Sequence, residues 1–136
     1  MQNPPPVQTT KSSTGLDENT AALLSYLFGW VSGLIFFLIE KDSRLVRFHA
    51  MQSILLNVSF GVVAVVLMIV LFILGMIFAM ISDALGAIVS ILSLLIWLVF
   101  MAAILIAVIL CLVKAFQGQY FKLPIIGNLA EKFSTK

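Results

Sequence analysis

The sequence predicts an all-α fold: an integral membrane protein with three transmembrane helices plus interfacial helical segments. Three observations predict it. The composition is 62% hydrophobic and only 10% charged over 136 residues, whereas a soluble domain sits near half apolar and a quarter charged. Three long apolar runs follow one another, with polar punctuation between them. The few Lys and Arg residues cluster beside particular ends of those runs. Mean hydropathy is +1.16, and a soluble chain of this length has too little interior to hide that much apolar surface. The length allows one domain.

Residues 1–16, rich in Pro, Ser and Thr, read as a disordered tail with a short polyproline run. They lack the basic start, short apolar core and small-residue cleavage site of a signal peptide. Residues 17–113 are expected to form the transmembrane domain, with spans at about 20–39, 57–80 and 88–112. A span needs about 20 apolar residues, and Thr20 to Ile39 fits that length. Thr14 and Asp17 have the spacing of a helix start with an acid in its first turn.

The second run, from Leu45 to Ser82, is too long for one crossing. Residues 48–82 alone would be about 52 Å of straight helix, against a hydrocarbon core of about 30 Å. An Arg at mid-bilayer costs about 2.5–3.5 kcal/mol, so Arg44 and Arg47 belong at the interface. An interfacial helix start is expected there, with Gly61 as a possible bend. The third run begins after Ser82, Asp83 and Gly86. From Lys114 to Lys136 a tail follows. Its Pro124 suits a first helical turn. Ile125, Ile126, Leu129, Ala130 and Phe133 can share one apolar face opposite Glu131 and Lys132, as in a short interfacial helix. Gly127 counts against that helix.

Three spans put the first loop and the C-terminal tail on one side. These hold Lys41, Arg44, Arg47, Lys114, Lys122, Lys132 and Lys136, against Lys11 alone on the other. The bias predicts a cell (plasma or inner) membrane protein with its N-terminus outside and its C-terminus cytoplasmic.

Two constellations stand out. Ala21, Ser25, Gly29 and Gly33 are four residues apart, so on one helix they form a stripe of small residues through which helices approach closely. That interface joins either other spans of the same chain or a second copy. At the mouth of the second run lie Arg44, Arg47, His49, Gln52, Ser53 and, deeper, Asn57. On a helix Arg44 and Arg47 lie about 60° apart, placed to anchor lipid phosphates. His49, Gln52 and Ser53 face elsewhere, either as a packed polar cluster or, with Asn57, as the wall of a polar vestibule.

No catalytic constellation is visible, so no enzyme activity is expected. No cofactor and no metal site is expected either: there is one His and one Cys, Cys111, and structural metals want three or four ligands. A single cysteine also excludes an intramolecular disulfide. The basic footprint of a nucleic-acid binder is missing. The expected partners are the lipid bilayer and a second copy or another membrane protein.

Three stretches carry a resemblance: "GLDENTAALLSYLFGWVSGLIFFLIEK", "VRFHAMQSILLNV" and "KAFQGQYFKLPIIGNLAEK". Over residues 15 to 132 the chain resembles a family of small, uncharacterised bacterial and archaeal membrane proteins. That family is described as similar to the channel-forming component of the Tic import translocon of the chloroplast inner envelope. The resemblance implies a role assisting transport or insertion of polypeptides, in which His49, Gln52 and Asn57 would contact a client chain. The residues alone leave two other classes open: a structural or regulatory subunit of a larger membrane complex, and an oligomeric small-molecule or ion permease.

Overall fold

The computed structural model describes residues 10–135, so most of the N-terminal tail expected at 1–16 and the last residue lie outside it. The regular elements of the described residues are five α-helices: α1 (Glu18–Leu24), α2 (Trp30–Ile39), α3 (Arg44–Ile81), α4 (Asp83–Phe116) and α5 (Ile126–Ser134). Two of them, α3 and α4, are long and apolar enough to cross a membrane. The expectation of three spans is therefore corrected to two. The segments expected at 57–80 and 88–112 lie inside α3 and α4, whereas the one expected at 20–39 is not a single helix.

The reason lies between Leu24 and Trp30. Gly29 sits at φ +61°, ψ −133°, a conformation that suits glycine. Adding a Cβ there would also bring it to 3.0 Å from Asn57 Oδ1. The break is stabilised by side chains that give the backbone other partners. Ser32 Oγ accepts from the Phe28 amide and lies 3.0 Å from the Ser25 carbonyl, and Ser53 Oγ donates to the Gly29 carbonyl. Hydroxyls of this kind compete with the helical ladder for backbone groups. Four small or polar residues in register are thus the site of a break, and Ala21 and Gly33 belong to different helices.

Helix α3 starts from a dense cap. Ser43 Oγ accepts from the Val46 amide. The Glu40 carboxylate, shielded from solvent, accepts from the amides of Ser13, Asp42 and Ser43 and from the Ser13 hydroxyl. Thr10 to Leu16 is accordingly a tight turn held on the 40–42 loop, and the backbones of Lys11 and Asp17 pair in an isolated antiparallel bridge. Helix α3 then continues as helix through Gly61. In α5, Gly127 is a requirement: a Cβ there would fall 2.5 Å from Lys122 Cα.

The chain forms two compact units. The first comprises residues up to Asn57 together with those from Leu110 onward. It holds α1, α2, α5, the first part of α3 and the end of α4, and it owns nearly every buried side chain. The second, Val58–Ile109, is a helical hairpin. Its two helices approach closely beside the turn at Gly86, whose added Cβ would meet Ala79 Cβ at 2.8 Å. Most large apolar side chains of this unit are exposed, as a surface facing lipid would be.

Candidate functional site

The first unit contains a buried polar cluster, assembled from helix spacing on α3. His49, Gln52 and Ser53 follow one another at i, i+3 and i+4, so they share a face. All three are fully shielded. His49 Nε2 lies 2.9 Å from the Gln119 carbonyl, and Nδ1 lies 3.0 Å from the Tyr26 hydroxyl. A carbonyl only accepts, so Nε2 donates to it. Gln52 Nε2 donates to the Phe121 carbonyl at 3.0 Å and the Tyr26 hydroxyl at 3.1 Å, and approaches Cys111 Sγ at 3.5 Å. Gln52 Oε1 is buried without a hydrogen-bond partner. Phe48 stacks edge-on to His49 and tilted on Tyr120, with centroids 5.1 and 5.4 Å apart.

The arrangement does one thing chemically: it holds two backbone carbonyls of the 119–121 segment against α3. That segment belongs to no helix: the Gln119 carbonyl also accepts from the Phe121 amide, and the side chains of α3 supply the remaining donors to the Gln119 and Phe121 carbonyls. The same cluster ties down the end of α1 through Tyr26. Ser53 serves the Gly29 carbonyl, and Asn57 Nδ2 donates back to the Ser53 carbonyl. His49, Gln52, Ser53 and Asn57 are thus gathered in one region and paired with the chain's own atoms.

The two arginines diverge. Arg44 is exposed. Arg47 turns inward: it donates to the carbonyls of Glu40 (2.8 Å), Phe37 (3.4 Å) and Ser134 (3.2 Å), and its guanidinium lies 4.5 Å over the Phe37 ring. It closes the C-terminus of α2, where a cation meets the negative end of the helix. Of the small-residue stripe, Ala21 and Ser25 are buried. Gly33 packs on α3 of the same chain, where an added Cβ would meet the Ala50 carbonyl at 2.9 Å.

Glu40 and Tyr26 were not read as site residues from sequence, although each carried a signal. A phenol inside an apolar run needs a partner, and so does a carboxylate at the end of one. Burial pushes the Glu40 carboxyl upward, but the Ser43 and Ser13 amides, the Ser13 hydroxyl and the Asp42 amide outweigh it and hold it below its ordinary 4.5. Among the described residues, no three His, Cys, Asp or Glu side chains converge as metal ligands would. Within 58–109, a groove of about 590 Å³ is lined by Met68, Phe72, Gly75, Ser90, Ser93 and Trp97 among others. Both serine hydroxyls there donate to carbonyls of their own helix.

Fold and site together define a small, all-helical protein with two span-length apolar helices and an internal polar staple. The chain matches the Magnetosome magnetite crystal formation protein family over residues 17–130, and it belongs to that family. It is similar to a UPF0132 membrane protein of Methanocaldococcus jannaschii, 39% identical over 124 residues, covering 91% of this chain and 94% of that one. A second UPF0132 membrane protein of that organism is 32% identical over 119 residues, covering 88% of this chain and 71% of the relative. One from Archaeoglobus fulgidus is 36% identical over 117 residues, covering 86% and 95%. These matches carry the small membrane-protein family. They do not carry the likeness to the chloroplast import component. No solved structure matches.

Proposed function

We propose that this chain is a structural membrane protein. It acts through contacts with lipid and with other membrane proteins, as a subunit or scaffold, rather than through a reaction or a permeation path. One observation carries the reading. The polar side chains that would line a vestibule, His49, Gln52 and Ser53, are buried and bonded to the chain's own backbone and to Tyr26. A permease or a client-binding groove would need such groups open to its cargo. The family description concerns mineral formation; under this reading a member contributes by organising a membrane, not by ligating the mineral's metal.

Two spans also change the topology argument. Both ends of the chain then lie on one side, together with all eight Lys and Arg residues. The turn between the spans has Asp83 and no base. The bias favours both termini in the cytoplasm, in place of the N-out arrangement that a three-span reading gives.

The test is reconstitution of the purified full-length chain into liposomes loaded with ions and with small fluorescent solutes. The expected result is leakage no greater than from empty liposomes. Solute-selective, saturable flux that is lost in His49→Ala would overturn the reading.

A further inference from the structure

The first apolar segment is apolar enough for a membrane, yet it does not span one. Its lengths are those of a half-crossing. Helix α2 has 10 residues, about 15 Å, against a hydrocarbon core of about 30 Å. It lies alongside α3 and antiparallel to it. Gly29 is beside Asn57, Gly33 beside Ala50 and Ile54, and Glu40 beside Arg47. One end of α2 is therefore level with the exposed charged residues Lys41, Asp42 and Arg44. The other, where α1 turns into α2, lies about three helical turns further along α3.

That far end is an exposed apolar surface. Leu27, Phe28 and Trp30 are 57%, 74% and 55% exposed. The outward face of α2 continues with Leu34, Ile35 and Leu38, all exposed, while Ser32 and Gly33 face inward. A water-facing turn normally carries Gly, Asn, Asp or Ser and leaves its amides to solvent. Here the turn is apolar outside, and all five of its amides are used. Ser25 donates to the Ala21 carbonyl, Tyr26 to Leu23, Leu27 to Leu24, Phe28 to Ser32 Oγ and Gly29 to Tyr26. Internal pairing of backbone donors is what non-helical backbone needs at membrane depth, where each unsatisfied group costs several kcal/mol.

From these observations we infer that α1 and α2 form a re-entrant hairpin. It enters one leaflet, lays the Leu27–Leu38 face against acyl chains, and returns to the side it came from. Lys41 and Arg44 mark the headgroup level, and Trp30 sits deep. The inference rests on the two-span reading with both termini on one side, and it adds where the remaining apolar segment lies and what covers it.

Two measurements on the full chain test it. Lys11→Cys and Lys132→Cys, each in a Cys111→Ser background, are treated with a membrane-impermeant maleimide in intact cells and in inverted membrane vesicles. Both are expected to label in inverted vesicles only. Separately, Trp97→Phe leaves Trp30 as the one tryptophan. The purified variant is reconstituted in phosphatidylcholine–phosphatidylglycerol vesicles with quenchers at set acyl depths or with aqueous iodide. Trp30 is expected to lose most of its emission to the deep acyl quencher and little to iodide. Labelling of the two cysteines from opposite sides would overturn the two-span reading and the hairpin with it. Same-side labelling with iodide quenching would overturn the hairpin alone, by placing it in water. Same-side labelling with neither quencher effective would overturn the lipid contact, by showing the face covered by a second copy or another protein.

Discussion

Residues 20–39 and residues 58–81 are both apolar enough for a bilayer, and they fold differently. The first stretch breaks into α1 and α2, whereas the second continues as unbroken helix. The difference is in hydrogen-bonding capacity, not hydropathy. The first contains Ser25 and Ser32 and faces Ser53, whose hydroxyls offer its backbone bonds outside the ladder. The second has Ser59 as its only hydroxyl. Its run of Val and Ile, poor helix formers in water, has no other way to satisfy its amides in lipid. In an apolar medium, available partners decide where a helix stops.

The comparison breaks most sharply at Gly33. Its hydrogen faces the Ala50 carbonyl and the Ser53 and Ile54 side chains at distances that leave no room for a Cβ. Gly33→Leu should force α2 off α3 and cost about 3 kcal/mol. Thermal unfolding in detergent micelles, followed by circular dichroism, measures this. An unchanged midpoint would mean that α2 is not seated on α3.

His49→Ala should rank next. It removes the side-chain donor of the Gln119 carbonyl, which keeps the Phe121 amide, and the acceptor of the Tyr26 hydroxyl proton, which keeps only Gln52 as a donor to its oxygen. The buried Tyr26 hydroxyl proton left without His49 costs about 1–3 kcal/mol and the lost bond to the Gln119 carbonyl about 1 kcal/mol, and the two are not fully additive. The expected signature is local: limited proteolysis should cut near Gln119–Phe121 several times faster, while the 58–109 helices stay protected. If the cutting rate held constant, the staple would not be what retains the tail.

Much of this was legible from residues alone. The turn at Ser82–Asp83, the α-only composition and the short tail helix all follow from pattern. His49, Gln52 and Ser53 were visible as one face, because helix spacing is fixed. Their partners were not visible, because backbone carbonyls at 119 and 121 carry no side-chain signature and come from about 70 positions away. Span counting failed at 20–39 because hydropathy averages over a window, and a break depends on single hydroxyls. Gly127 was misread in the opposite direction. Propensity charges it as a helix breaker, but close approach of the Lys122 backbone makes it necessary.

Glu40→Ala should have a smaller effect, about 1–2 kcal/mol, since water can replace some of the lost acceptors of the Ser13, Asp42 and Ser43 amides. The same carboxylate gives a pH dependence. Its folded pKa is held below the ordinary 4.5, so its contribution is complete above that value and is lost as pH falls through the lower folded one. Wild type should therefore lose stability on acidification below 4.5 by more than Glu40→Ala does. Parallel acid curves for the two would place the acid sensitivity elsewhere.

The smallest effect sharpens the contrast from the other side. Gly75 lies in the second unit with nothing within 4 Å of where a Cβ would be, so Gly75→Ala should be neutral or stabilise by up to about 1 kcal/mol through helix propensity. The same addition at Gly33 would be a clash. Gly75→Leu carries the comparison further, because it fills the groove beside Met76 and Ala79 without touching the first unit. If lipid covers that face, the larger side chain only adds apolar contact, and the unfolding midpoint should stay within about 0.5 kcal/mol of wild type, as surface substitutions do. If a second copy packs there through the glycine, Leu should lower the midpoint and shift the protein toward monomer in crosslinking. The two units would then differ not in whether small residues mediate packing, but in whether they do so within one chain or between two.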